Sequence, residues 1–487
     1  MNPADLRALL PILVTAASAV IVMLGIAVRR SHALTAGLAL GGLAAAMGAV
    51  LLAWPSIPRQ VTSLVIVDGY SLFFTGMISA AAFFVVMLSH GYLRKRRCKP
   101  EEFYVLVLLA TTGAMVLVSS NHFVSLVLGL ELLSVSLYAL VAYVRDDGLD
   151  LEAGMKYLVL GGASSAFLLF GMALVYADTG SMDLPMIWRP ATMAPAHSFL
   201  PFAGLAMILV GIGFKLGLVP FHLWTPDVYQ GAPAPVSAFV ATVSKGAVFA
   251  LVLRSFAPMW SDGANGGLAS LFSVLAVASM FTGNLLALLQ NNIKRILAYS
   301  SIAHMGYLLV ALVASGSLAA EAVTFYLLAY FITMLGAFGV VTVRSWGERD
   351  ADRMEDYRGL AWREPWTAGV LTAMALSLAG IPLTAGFVGK FYVLFAGVSS
   401  SLRLLVLVMA VNSVIGLFYY LRIVVTLFRQ AEGEASGAAA REVPVRREGV
   451  PLMAALALSA LTVLLAGLGV YPGPVIELIR SLVAGIL

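Results

Sequence analysis

Of the 487 residues, 61% are hydrophobic and only 11% charged, less than half the roughly 25% charge of a soluble domain. The formal net charge of +5 comes without a basic stripe interleaved with exposed aromatics, which argues against nucleic-acid binding. Cys98 is the only cysteine, so the chain holds no internal disulfide and no iron–sulfur cluster or structural zinc built from several of its own cysteines.

Apolar runs of about 18 to 25 residues recur from end to end, each long enough to cross a hydrocarbon core that takes about 20 helical residues. They are continuous rather than alternating, which predicts helices and not a barrel. The first three are expected at 7–28, 33–54 and 65–89. The first is too long for a cleaved signal peptide and is expected to stay in the mature protein. Asp68, near a span end, reads as a cap or interfacial group. After a basic run from Arg94 to Lys99 come spans 102–120 and 122–144, the second carrying Glu131 inside FVSLVLGLELL. Span 155–177 begins beside Lys156, an interfacial anchor or a buried group. Span 200–224 contains Lys215, then Pro220 and His222; span 236–257 contains Lys245. Spans 268–290, 295–315 and 321–343 follow, with His304 beside Ser300 and Ser301. An inner loop, 344–365, carries both signs of charge. Span 366–395 is broken by Gly380-Ile381-Pro382 and bears Lys390; span 402–428 bears Arg422, which would pair locally or reach the inner surface. A Gly-, Ala- and Glu-rich loop at 429–450 precedes the last span, 451–470, for about fourteen in all.

With the N-terminus outside, nineteen Lys and Arg fall on the inner side, Arg145, Arg441, Arg446 and Arg447 among them, and six on the outer side, including Arg189. This bias orients the chain, and an even number of spans returns the C-terminus to the outside. Both long inner loops could contact partners or serve as linkers.

Glu131, Lys215, Lys245 and Lys390 lie too deep for their charges to reach water easily. Burying one such group costs about 2.5 to 3.5 kcal/mol on insertion scales, so each is a functional hypothesis by default. Glu131 is the only acid deep in a span and is the natural counter-ion for one lysine. Lysine suits proton transfer because burial and a movable carboxylate pull its affinity for a proton in opposite directions. The alternative is that these charges only fix helix packing. His222 and His304 are candidates for a relay or for structural hydrogen bonds. Pro220 and Pro382 interrupt spans five apart, an odd offset that sets two five-helix units antiparallel, the arrangement of many transporters. No phosphate loop, metal-ligand set or nucleophile constellation is present.

Three stretches carry a resemblance: GFKLGLVPFHLWTPDVYQGAPAPVSAF from Gly213, NNIKRILAYSSIAHMGYLLVAL from Asn291 and LSLAGIPLTAGFVGKFYVL from Leu376. They resemble the subunit N family of bacterial proton-pumping NADH:quinone oxidoreductase, respiratory complex I, over nearly the whole chain. Large subunits of multi-subunit sodium/proton antiporters share the buried Glu and Lys and supply the alternative. The resemblance implies an all-α polytopic membrane protein of about 14 transmembrane helices with two inverted five-helix repeats containing broken helices. The units would be N-terminal helices over 1–101, a first repeat over 102–257, a second over 258–428, and an inner loop with the final helix over 429–487. It assigns Glu131 and Lys215 to a coupled pair, Lys245 to a connecting relay and Lys390 to a second half-channel. It also implies that NADH, flavin, iron–sulfur clusters and quinone are handled by other subunits, with no cofactor or metal in this chain. Adjacent antiporter-like and small membrane subunits would be its partners, in the bacterial cytoplasmic membrane with both termini on the periplasmic side.

Overall fold

A computed structural model describes residues 2–144, 148–187, 199–256, 266–345, 349–429 and 449–484. Arg145, Arg189, Arg441, Arg446, Arg447 and residues 430–448 of the second inner loop lie outside them. The described chain is almost entirely helical, because a backbone in lipid must satisfy its own N–H and C=O groups within each span. Among the described residues, twelve helices are long and apolar enough to cross a membrane: Leu10–Val28, His32–Ser56, Gly69–Leu93, Glu101–Val118, Phe123–Val141, Leu149–Thr179, Ala234–Phe256, Gly267–Leu288, Ile293–Ala314, Gly316–Arg344, Arg403–Phe428 and Leu452–Val470. The expected span 366–395 appears as two shorter helices, Pro365–Ala379 and Ala385–Ser399, and the expected span 200–224 as one, Leu200–Leu216, with a second helix, Trp224–Gly231, starting where that span was expected to end.

Three departures from the expected spans bear on the fold. Span 65–89 starts at Gly69, since Arg59–Val61 and Val65–Val67 pair as an antiparallel hairpin. Val65 and Val67 are apolar enough to read as membrane, but Asp68 caps the helix by accepting from Ser71 N at 2.8 Å, the usual work of an Asp at that position. Asp68 also pairs with Arg254 at 2.6 Å. The first span divides into Pro3–Ala8 and Leu10–Val28. Beyond span 451–470 lies an amphipathic helix, Gly473–Val483, which buries Ile476, Ile479, Leu482 and Val483.

Both interrupted spans end their first half by one device. Gly217 and Gly380 take the left-handed conformation (φ +71° and +84°). Leu218 N then reaches back to Gly213 O at 2.8 Å, and Ile381 N to Leu376 O at 3.0 Å. These are Schellman-type ends, with proline two or three residues on preventing any continuation. The glycine therefore ends the helix; the sequence reading had placed the interruption at Pro220, three residues later.

Ala234–Phe256 and Ile293–Ala314 are wholly enclosed by other helices, and Gly316–Arg344 nearly so, whereas Leu10–Val28 is mostly uncovered. The enclosed helices form the core in which Lys245 and His304 sit. Glu131 is brought to its place by the helix pair Glu101–Val118 and Phe123–Val141. Their backbones touch at Gly113 and Gly129: a Cβ on Gly113 would lie 2.6 Å from Leu133 N and 2.7 Å from Gly129 O. Such backbone-to-backbone contact is how helices associate where no hydrophobic drive separates protein from lipid. Gly113→Val is expected to destabilise the fold by about 1–3 kcal/mol through overpacking and to lower the melting temperature in detergent. Gly162→Ala, at an open position, should leave it unchanged.

Candidate functional site

Lys215, Lys245 and Lys390 are buried in the interior, and Glu131 is half-buried. Lys215, 3% exposed, stands two residues before the Gly217 break. Its Nζ donates to Ser134 Oγ at 2.7 Å and Tyr138 Oη at 3.5 Å. Glu131 is half-buried and accepts from Ser165 Oγ at 2.6 Å. Glu131, Ser134 and Tyr138 lie on one face of the same helix, at spacings of three and four residues. The carboxylate and ammonium thus face the same helix one turn apart, but they do not form the direct ion pair that the sequence suggested. Hydroxyls take both charges instead.

The break leaves the Phe214 carbonyl without its helical partner. Gly217 N (2.9 Å) and Trp224 Nε1 (2.8 Å) both donate to it. The Trp224 indole stacks on Tyr157 with ring centroids 4.7 Å apart, so the second half of the span holds the end of the first in place.

Lys245 is fully buried and donates to Ser301 Oγ at 2.6 Å. It directly follows a π-helical stretch, Val240–Ser244, a local widening that often marks functional positions. Its amine also sits beside the first break, 3.2 Å from where a Cβ on Gly217 would be. Lys390 behaves alike at the second break: its Nζ donates to Ala379 O at 3.0 Å. There it meets the carbonyl end of the Pro365–Ala379 helix, where the helix dipole favours a cation. The same amine lies 5.2 Å from the Tyr307 ring centroid.

Between these lysines lies His304, with Tyr326 Oη 2.6 Å from Nδ1 and Tyr420 Oη 3.0 Å from Nε2. Tyr420 also meets Ser300. Asn284 extends the polar interior by donating to Tyr307 Oη (3.0 Å) and Asn412 Oδ1 (3.1 Å). His222 is buried in the first break. The peripheral charges have local partners. Lys156 pairs with Glu152 (2.7 Å) and Asp227 (2.8 Å), and Arg295 pairs with Asp227 at 2.8 Å. Arg422 caps the Gly266–Leu288 helix through Leu288 O (3.1 Å) and Gln290 O.

The inner loop contributes Asp350, which no hydropathy argument singled out. It pairs with Arg96 (2.6 Å) and Lys294 (2.7 Å) and accepts from Tyr92 Oη (2.7 Å) and Ala234 N (3.1 Å), the latter at the start of the Lys245 helix. Burial pushes its carboxyl up, but the Lys294 and Arg96 charges outweigh this and hold it below the ordinary value. A cavity of about 200 Å³ opens beside it, lined in part by Asp150, Gln230 and Asn292. Ser134, Tyr138 and Ser165 escaped the sequence reading as well. Ser134 and Tyr138 were findable by projecting Glu131 along its helix face. Ser165 was not, because it belongs to another span.

Buried lysines set at the breaks of discontinuous membrane helices define an antiporter-like membrane subunit of the ion-translocating class. The family model for the transmembrane part of NADH:quinone oxidoreductase and Mrp antiporter subunits matches residues 120–416. The chain is 50% identical over 483 residues to NADH-quinone oxidoreductase subunit N of Ectopseudomonas mendocina (strain ymp), covering 98% of this chain and 96% of that one. A chain of respiratory complex I from Thermus thermophilus superposes with a TM-score of 0.80 at 35% identity, covering 96% of this chain and 98% of that one. A chain of the Mrp complex from Dietzia sp. DQ12-45-1b superposes with a TM-score of 0.86 at 21% identity, covering 100% and 98%, and shares the fold. The chain belongs to the subunit N family of NADH-quinone oxidoreductase.

Proposed function

We propose that this chain moves protons across the bacterial cytoplasmic membrane as the subunit N of a proton-pumping NADH:quinone oxidoreductase, with redox chemistry carried out in other subunits. The observation that carries the reading is the shared setting of Lys245 and Lys390. Each places its amine at the glycine break of an interrupted helix, in a chain half identical to subunit N. Redox events elsewhere would shift Glu131 relative to Lys215. Lys215 would then pass its proton by way of Lys245 and the His304 cluster toward Lys390, with His222 at the first break, and the sites would refill from the inner side. The cavity beside Asp350 supports entry there, since it opens among the basic inner loops. The like chemistry of the Gly217 and Gly380 ends supports two inverted five-helix units. NADH, flavin, iron–sulfur clusters and quinone would bind neighbouring subunits, and adjacent membrane subunits would flank this chain, whose termini face the periplasm.

The test is purification through a tag on this chain from native membranes. Co-purification with NADH-oxidising, proton-pumping activity is the expected result. Cation-dependent transport by the chain reconstituted without redox partners would replace this reading with a sodium/proton antiporter.

A further inference from the structure

Three buried polar atoms in the core have no hydrogen-bond partner among the described residues: His222 Nδ1, Thr225 Oγ1 and Tyr330 Oη. The remaining atoms of that kind belong to Glu102 and to arginines. Thr225 and His222 lie on the Lys245 side of the first break, and Tyr330 neighbours Ser301, the acceptor of Lys245. A Cβ on Gly217 would be 2.6 Å from Thr225 Oγ1 and 3.2 Å from Lys245 Nζ, so hydroxyl and amine reach the same small space beside the helix break. His222 follows the break and lies within electrostatic reach of Lys245.

Tyr330, 3% exposed, approaches from the Gly316–Arg344 helix on the other side. Its ring centroid is 5.5 Å from that of His304. Its hydroxyl neighbours Ser301 outside ordinary hydrogen-bond geometry, and Ser301 is the group that binds Lys245. His304 has both ring nitrogens engaged by Tyr326 and Tyr420, and no hydrogen bond joins it to Ser301 among the described residues. Tyr229 Oη also reaches Ser301, at 3.4 Å, but of the two tyrosines it is Tyr330 whose ring lies against His304, so its hydroxyl stands between the Lys245–Ser301 pair and the His304 cluster. Folded proteins satisfy buried polar atoms of this kind with ordered water wherever two to four polar groups converge.

We infer that Lys245 borders a small water-binding chamber lined by Thr225, His222 and Tyr330, and that Tyr330 is the relay group between Lys245 with Ser301 and the His304 cluster. An N–H bond of the Lys245 ammonium breaks as an O–H bond of a chamber water forms. That water gives up another proton to the Tyr330 oxygen, and the proton Tyr330 already held leaves toward the His304 cluster. Water and tyrosine are restored, and the net change is one proton lost by Lys245 and one gained by the cluster.

This inference rests on the proton-translocation reading, and the experiment separates the two. Tyr330→Phe, Tyr330→His and Lys215→Ala are made in the whole enzyme, and NADH-driven proton uptake per NADH oxidised is measured in native vesicles beside the melting temperature. Tyr330 Oη bonds no protein group by ordinary geometry, so Tyr330→Phe gives up only a bond to water and should melt close to the native enzyme yet pump several-fold less per NADH, with Tyr330→His restoring part of the loss. Full pumping by Tyr330→Phe overturns the relay, and so does a pumping loss matched by a fall in melting temperature. If Lys215→Ala pumps normally, the translocation reading itself fails; if it is defective while Tyr330→Phe is normal, only the chamber does.

Discussion

Lys215→Ala in the assembled complex is expected to depress NADH-driven proton pumping by tenfold or more, since a positioned proton-transfer group contributes roughly 10²–10⁴-fold to its step. The substitution removes the cation held by Ser134 and Tyr138 and leaves Glu131 with Ser165 alone. Without the ammonium, a shift of the carboxylate has nothing to drive. Truncating a long buried side chain also opens a cavity worth about 2–5 kcal/mol. Lys215→Met, which keeps the volume, should therefore match the alanine variant in pumping while melting closer to the native enzyme. Proton uptake and quinone reduction measured together decide the matter; unchanged values for both would remove Lys215 from the path.

Asp350→Asn is the substitution expected to cost the most stability. Arg96, 9% exposed, and Lys294, 1% exposed, would be left beside a neutral amide, and breaking a buried ion pair from one side costs about 3–5 kcal/mol. Asp350 also ties the inner loop to the N-terminus of the Ala234–Phe256 helix through Ala234 N, so loosening it disturbs the helix that carries Lys245. The pH dependence has a definite sign. Because the folded state holds this carboxyl below its ordinary value of 3.8, its stabilisation is complete above that value. It is lost as the pH falls from there through the lower folded value. Thermal melts of the purified complex should show the native enzyme losing its advantage over Asp350→Asn only in that acid range. Equal melting temperatures at neutral pH would show that the cluster is not a structural hub.

Much of the membrane architecture was legible because hydropathy is a sum over neighbours in sequence. A run of about 20 apolar residues spans wherever it occurs, and each of the twelve long helices found among the described residues overlaps one of the expected runs, with ends that move by up to several residues. The two interruptions were legible locally as well, from Pro220 in one span and Gly380-Ile381-Pro382 in the other, although the left-handed turn at Gly217 that ends the first helix was not. Hydropathy erred at Val65 and Val67, which pair as a strand rather than join the helix. Past residue 470 it is silent, because the amphipathic helix Gly473–Val483 is too short to register as a span.

The sequence by itself determined which charges are out of place, because the cost of burying Glu131, Lys215, Lys245 and Lys390 is set by the apolar residues on either side of each. Only the tertiary structure decided what those charges touch. Glu131 meets Ser165 rather than Lys215, Lys245 meets Ser301 from a separate span, and Lys390 meets a carbonyl freed by the break in its own span. Asp350, in a loop that reads as a linker, binds residues 254 and 56 positions away in Arg96 and Lys294. Such partnerships depend on how far each helix is rotated and where it crosses its neighbours. Those angles are set by close contacts such as Gly113 on Gly129, between residues far apart in the chain, and no local pattern carries them.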